Sequence, residues 1–110
     1  MDMDEIDRRP ITGTGSANAD LAAAELCQIV ESALEHISPD ARVLAIIPDN
    51  TRDDNTHILF PAAARFLGAK GNSKIDVLVA QGTHPPMNAA AKLAKIGADL
   101  TPPIQNLGEI

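Results

Sequence analysis

The sequence predicts an α/β fold: a parallel sheet with flanking helices, in the order α-β-α-β-α. Two observations carry this. Val43-Leu44-Ala45-Ile46-Ile47 is a continuous apolar run without alternation, and Lys74 to Ala80 is again largely apolar (Ile75, Val77, Leu78, Val79 and Ala80). Such runs read as parallel strands buried on both faces. Segments of helical periodicity precede, separate and follow them, and that alternation implies right-handed crossovers.

Residues 1–17 read as a flexible tail and residues 18–110 as a partial α/β domain. Asp2, Asp4, Glu5 and Asp7 make the start acidic, and Gly13-Thr14-Gly15-Ser16 is polar and glycine-rich. The Gly-x-Gly there is set aside as a phosphate loop because no strand precedes it. Asp20 to Ile37 reads as a helix, with Ala22, Leu26, Ile29, Val30, Ala33 and Ile37 on one stripe and Asn18 or Asp20 as its cap. His36, in its last turn, reads as a surface residue that suits the helix dipole.

The first strand follows, then a helix from about Thr56 to Leu67 with Leu59, Ala63, Phe66 and Leu67 available to the core. Gly68 is its expected stop. Pro61 removes one backbone donor, which predicts a later start or a kink. After the second strand, Asn88 is positioned to cap a third helix running to Ile96 and stopping at Gly97, with Lys92 and Lys95 facing outward. Ile104 to Leu107 can begin a third strand. Two complete strands make a small, incomplete sheet with an open edge, so the chain is expected to self-associate or to need a complementary chain.

The composition narrows the function classes. The chain has 110 residues, 45% of them hydrophobic and 22% charged, with no Trp or Tyr and a formal net charge of -6. That balance argues against nucleic acid, whose binding relies on Lys and Arg at phosphates. The only cysteine, Cys27, excludes an internal disulfide and fits a reducing compartment. No run is long enough to span a membrane, and the acidic start lacks the pattern of a signal peptide. The expectation is a cytoplasmic protein with no membrane partner.

Two polar segments follow the strands: Pro48-Asp49-Asn50-Thr51-Arg52 and Gln81-Gly82-Thr83-His84-Pro85-Pro86-Met87. Strand tips are where open α/β sheets keep their chemistry. If the strands are neighbours, their tips lie about 5 Å apart, and Asp49, Arg52 and His84 face one crevice. The Arg52 guanidinium suits a carboxylate or phosphate, and Asp49 can orient it, accept a hydroxyl donor or help bind a metal. A solvated Asp49–Arg52 ion pair explains the same spacing. His84 has the residue type for proton transfer near neutral pH; a loop histidine with one backbone hydrogen bond is the plainer alternative. Gly82 permits a tight approach, and Pro85 and Pro86 restrict where the imidazole points. Asp53, Asp54 and His57 match no metal-ligand spacing and read as structural or solvated.

An apolar strand, then Asp-x-Thr-Arg, a helix containing Pro, and a second apolar strand ending in Gly-Thr-His-x-Pro-Met resembles the N-terminal part of the nickel-pincer lactate racemase family. The matching residues are Asp49, Thr51 and Arg52, then Gly82, Thr83, His84, Pro86 and Met87, with Pro61 between them, within about residues 42–97. The resemblance implies a Rossmann-like domain, of which this chain is the first part. It implies a racemase or epimerase of 2-hydroxy acids that uses a nickel-pincer nucleotide as hydride acceptor. It gives His84 the role of one of two acid/base histidines. It places Asp49, Thr51, Arg52, Gly82 and Thr83 in the cofactor and substrate pocket, whose ligand is a small 2-hydroxy acid or another anion.

Pro85 departs from the Arg that family members commonly carry after this histidine. The second histidine, the cofactor lysine and the nickel-binding histidine are expected beyond Ile110, so the chain alone is expected to be inactive. Two other functions fit the same residues. One is a non-catalytic anion-binding or assembly module. The other is a metal-dependent hydrolase using Asp49, Asp53 and His84.

Overall fold

A computed structural model describes residues 13, 15–18, 20–72, 74–99 and 103–110. Most of the expected tail lies outside the described residues. The helices are α1 (Ala23–Leu34), α2 (Thr56–Lys70) and α3 (Ala89–Lys95), and the strands are β1 (Val43–Pro48) and β2 (Ile75–Ala80). The strands pair in parallel, with Val43 opposite Ile75 and Pro48 opposite Ala80. The predicted order and the neighbouring of the two strands hold, in a small α/β arrangement.

The residues after α3 add to the outer edge of β2. Leu107 bridges to Ile75 in parallel. The Ile75 N–H donates to the Asn106 carbonyl at 2.8 Å, and the Val77 N–H to that of Glu109 at 2.7 Å. The suggested third strand is thus present as a short edge segment.

Among the described residues, only one face of the sheet is covered. Ile47, Ile75 and Val77 pack with Phe60, Ala64 and Leu67 of α2 and with Ile96. On the other face Leu44, Ile46 and Leu78 remain 56%, 66% and 53% exposed. The apolar runs had suggested burial on both faces, but all three helices leave this second face bare. Unbroken hydrophobicity marks strands built for two covers; it does not say which segment supplies them.

Helix boundaries also differ from expectation. The N-cap of α1 is Ala22, neither Asn18 nor Asp20. The Glu25 carboxylate accepts the Ala22 N–H at 3.3 Å, the half of a capping box that needs no cap side chain. α2 runs through Gly68 and ends at Gly71, whose φ of 121° closes the turn. Its buried residues are Thr56, Phe60, Pro61, Ala64 and Leu67, so the core stripe sits about one residue from the predicted one. Pro61 lies inside the helix and is tolerated there. Asn88 does cap α3, its side chain accepting the Ala91 N–H at 2.8 Å.

Two polar side chains at the end of α2 gather the α1–β1 connection. The Lys70 ammonium donates to the carbonyls of Leu34 at 3.2 Å, Glu35 at 2.8 Å and Ile37 at 2.5 Å. The Leu34 and Glu35 carbonyls lie at the C-terminal end of α1, where a cation complements the helix dipole. The buried Asn72 amide donates to the carbonyls of Ser38, Pro39 and Ala41. Together they fix where β1 begins, and so where its tip ends.

Candidate functional site

The parallel register places the residues after Pro48 and Ala80 side by side. Asp49 follows β1 directly and is 2% exposed. Its carboxylate gathers three donors. The Thr51 hydroxyl donates to Oδ1 at 2.5 Å and the Thr51 N–H to the same oxygen at 3.1 Å. Nδ1 of His84 lies 2.6 Å from Oδ2. These bonds outweigh burial and hold the Asp49 carboxyl down at about 2, the Thr51 hydroxyl having the largest effect. Asp49 is therefore ionised at neutral pH.

An ionised carboxylate only accepts, so the short contact requires the proton of His84 to sit on Nδ1. Nε2 is left as the free nitrogen. The His84 side chain is 45% exposed while its carboxylate partner is buried. The arrangement thus presents one oriented, solvent-reachable nitrogen from a fixed base, able to take or give a proton. Thr51 Oγ1 lies 3.4 Å from the same Nδ1, at the outer limit of a hydrogen bond.

The turn that carries His84 is locally built. Gly82 has a φ of 58°, a left-handed conformation that side chains resist. A Cβ there would meet nothing within 4 Å. The glycine serves backbone conformation, then, and the tight approach expected at Gly82 does not occur. The His84 N–H closes the turn onto the Gln81 carbonyl at 3.0 Å. Gln81 Oε1 accepts the Met87 N–H at 2.7 Å, spanning the whole segment. Met87 is buried beneath it, whereas Thr83 is exposed.

Arg52 is exposed. It lines an open cleft of about 410 Å³ with Asn50, Asp53, Asp54, His57, Ala91, Ala94 and Lys95. The Asp49–Arg52 ion pair allowed by spacing is not formed, because Asp49 is engaged by Thr51 and His84. Asp54 is structural, accepting the Thr56 N–H at 2.9 Å at the start of α2. Its carboxyl is lowered to about 2, chiefly by the Thr56 hydroxyl, with the Thr56 N–H and Lys95 adding to it.

Lys95 was expected outside, yet its side chain is only 9% exposed. Its ammonium donates to both Asp54 oxygens at 3.1 and 3.0 Å and to the Arg52 carbonyl at 2.9 Å. Helical spacing alone put Lys95 on the solvent side; the α2 start folds over that side.

Among the described residues, no group of three or more His, Cys, Asp or Glu is arranged to hold a metal ion. Nor is any helix there long and apolar enough to cross a membrane. The donor set at the strand tips is one carboxylate and one imidazole bonded to each other, which does not fit a nickel centre.

Comparison with known proteins adds to this geometry. A crystal structure of a Thermotoga maritima protein from a structural genomics consortium has a similar fold, with a TM-score of 0.70 over 82% of this chain at 24% identity. The chain spans 21% of that protein's length. No curated protein matches by sequence. A family model described as the lactate racemase N-terminal domain matches residues 11–108, which takes in both strands and both polar segments. The chain belongs to the lactate racemase N-terminal domain family.

Proposed function

We propose that this chain supplies one wall of the active site of a racemase or epimerase of 2-hydroxy acids. His84 is its acid/base group and Arg52 its anion-binding residue. The observation that carries the proposal is the 2.6 Å contact between Asp49 and His84 at adjacent strand tips. It selects the tautomer in which Nε2 accepts the hydroxyl proton of the substrate. The buried carboxylate then stabilises the imidazolium until the proton is returned. Arg52, with Asn50 and the start of α2 beside it, draws the carboxylate of a small 2-hydroxy acid. Thr51 steadies Asp49, Gly82 sets the turn of His84, and Thr83 stands exposed beside it.

Family membership points to a nickel-pincer nucleotide as the hydride acceptor. The residues described here do not form its metal centre, so the part assigned to this chain is proton handling and substrate binding. A cytoplasmic setting and completion by further protein, in the same or another chain, belong to the same proposal.

The cleft lined by Arg52, to which neither Asp49 nor His84 contributes, favours one second reading, a non-catalytic anion-binding module. Titration of isotope-labelled chain with lactate, monitored by NMR, separates the two. The catalytic reading predicts saturable shifts at both the His84 ring and the Arg52 guanidinium, with the His84 shift absent when propionate, which lacks the hydroxyl, replaces lactate. Equal responses to both anions confined to Arg52 would support the binding module. No response at either residue would overturn both.

A further inference from the structure

We propose that Lys95 is a positioning residue for His84, acting by tying α3 to the β1–α2 loop. The inference rests on His84 being the functional group of this site, and it deepens that reading.

The argument starts from connectivity. His84 sits on the segment 81–88, which leads directly into α3 through the Asn88 cap. Asp49 sits at the start of the loop 49–55, which leads into α2. The two segments touch at the site itself through Asp49 and His84. They touch a second time at the far end of α3, where Lys95 donates to the Arg52 carbonyl at 2.9 Å and to the Asp54 carboxylate at 3.0 and 3.1 Å. Asp54 passes the restraint on, since its Oδ1 also accepts the Thr56 N–H. One ammonium thus fixes the end of the first polar segment, the start of α2 and the end of α3.

The chemistry of the tie is demanding. A lysine ammonium with 9% side-chain exposure has little water to serve its hydrogens and depends on its protein partners. Removing it leaves the Arg52 carbonyl and the Asp54 carboxylate short of a donor. α3 has only 7 residues and would not be held as a helix by its own propensity. Two further anchors are Ile96, which is fully buried, and Gly97 against α2. Both lie beyond the helix end, so they fix the position of α3 less directly than they fix its depth. Loosening α3 displaces the 81–88 segment relative to Asp49.

The test reads the His84 tautomer from ring 15N shifts in the folded chain, with no substrate or cofactor present. It therefore succeeds or fails independently of whether His84 moves a substrate proton. Lys95→Met keeps the apolar stem and removes the ammonium. Its predicted effect is loss of the Nδ1–H signal and a move toward the tautomer mixture of free histidine. Lys95→Arg is predicted to restore the wild-type pattern. Lys70→Met is the control, removing an ammonium with three carbonyl partners elsewhere in the fold. It should lower Tm and leave the His84 pattern unchanged. If Lys95→Met fails to fold, Asp54→Asn gives a weaker tie and a partial version of the same shift. A wild-type His84 pattern in folded Lys95→Met, or in folded Asp54→Asn where the first variant does not fold, would overturn the proposal. So would an equal change in Lys70→Met.

Discussion

Gly97→Ala tests how α3 is docked. Gly97 has a φ of 74°, and a Cβ there would meet the His57 carbonyl oxygen far inside van der Waals contact and Pro61 Cγ at 3.0 Å. The crowding has a sequence origin. Pro61 has no N–H, so the His57 carbonyl lacks the usual helical donor four residues on, and Gly97 packs against that carbonyl. An alanine at positive φ costs roughly 1–2 kcal/mol, and overpacking a rigid site adds about 1–3 kcal/mol. The lower entropy of the unfolded alanine chain returns about 0.4–1 kcal/mol. The expected net loss is about 2–4 kcal/mol, which for a domain of this size lowers Tm by roughly 10–25 °C.

Gly82→Ala isolates the second contribution. Gly82 has a φ of 58° but open space around its Cα, so only the backbone cost applies. The expected loss is about 1 kcal/mol or less. Urea unfolding of both variants, with m-values compared to confirm a common unfolded state, supplies the measurement. Equal destabilisation by the two alanines would refute the docking of Gly97 on the His57–Pro61 carbonyl.

Other outcomes follow from the same structure. Ile46→Ser and Leu78→Ser lie on the bare sheet face and should change stability by no more than about 0.5 kcal/mol, whereas Leu67→Ala in the core should cost about 2–5 kcal/mol by thermal or urea unfolding. Asp49 and Asp54 both have folded carboxyl groups held at about 2, below their ordinary value of 3.8. Depressed carboxylates stabilise the fold above the unfolded value, and that stability is lost as pH falls from about 4 toward 2. Asp54→Asn should flatten the dependence of Tm on pH in that window. Lys70→Met should cost about 1.5–3 kcal/mol, as expected for a charged donor to backbone carbonyls, measured as the shift in urea midpoint.

The strands were legible because Val43–Ile47 is apolar throughout and Ile75–Ala80 is apolar but for Asp76, and alternation with helices then made them parallel neighbours. The meeting of Asp49 with His84 follows from that inference, since adjacent parallel strands deliver their next residues to one place. The direction of Arg52 was not legible: a residue four positions past the end of β1 depends on how the loop turns into α2. Lys95 was misjudged because helical spacing describes one helix at a time, and its burial comes from the Asp54 loop closing over it. The bare face of Leu44, Ile46 and Leu78 was hidden for a related reason. Hydrophobicity records that a face is meant to be covered, and only tertiary structure records whether these residues cover it.

The central claim is that a buried, ionised Asp49 fixes His84 as a proton carrier through Nε2. The most direct test is the ring 15N spectrum of His84 in the wild-type chain and in Asp49→Ala, at a pH where the imidazole is neutral. The account predicts a proton held on Nδ1 in the wild type and a shift toward the Nε2–H tautomer once the carboxylate is gone. The same tautomer mixture in both proteins would contradict it.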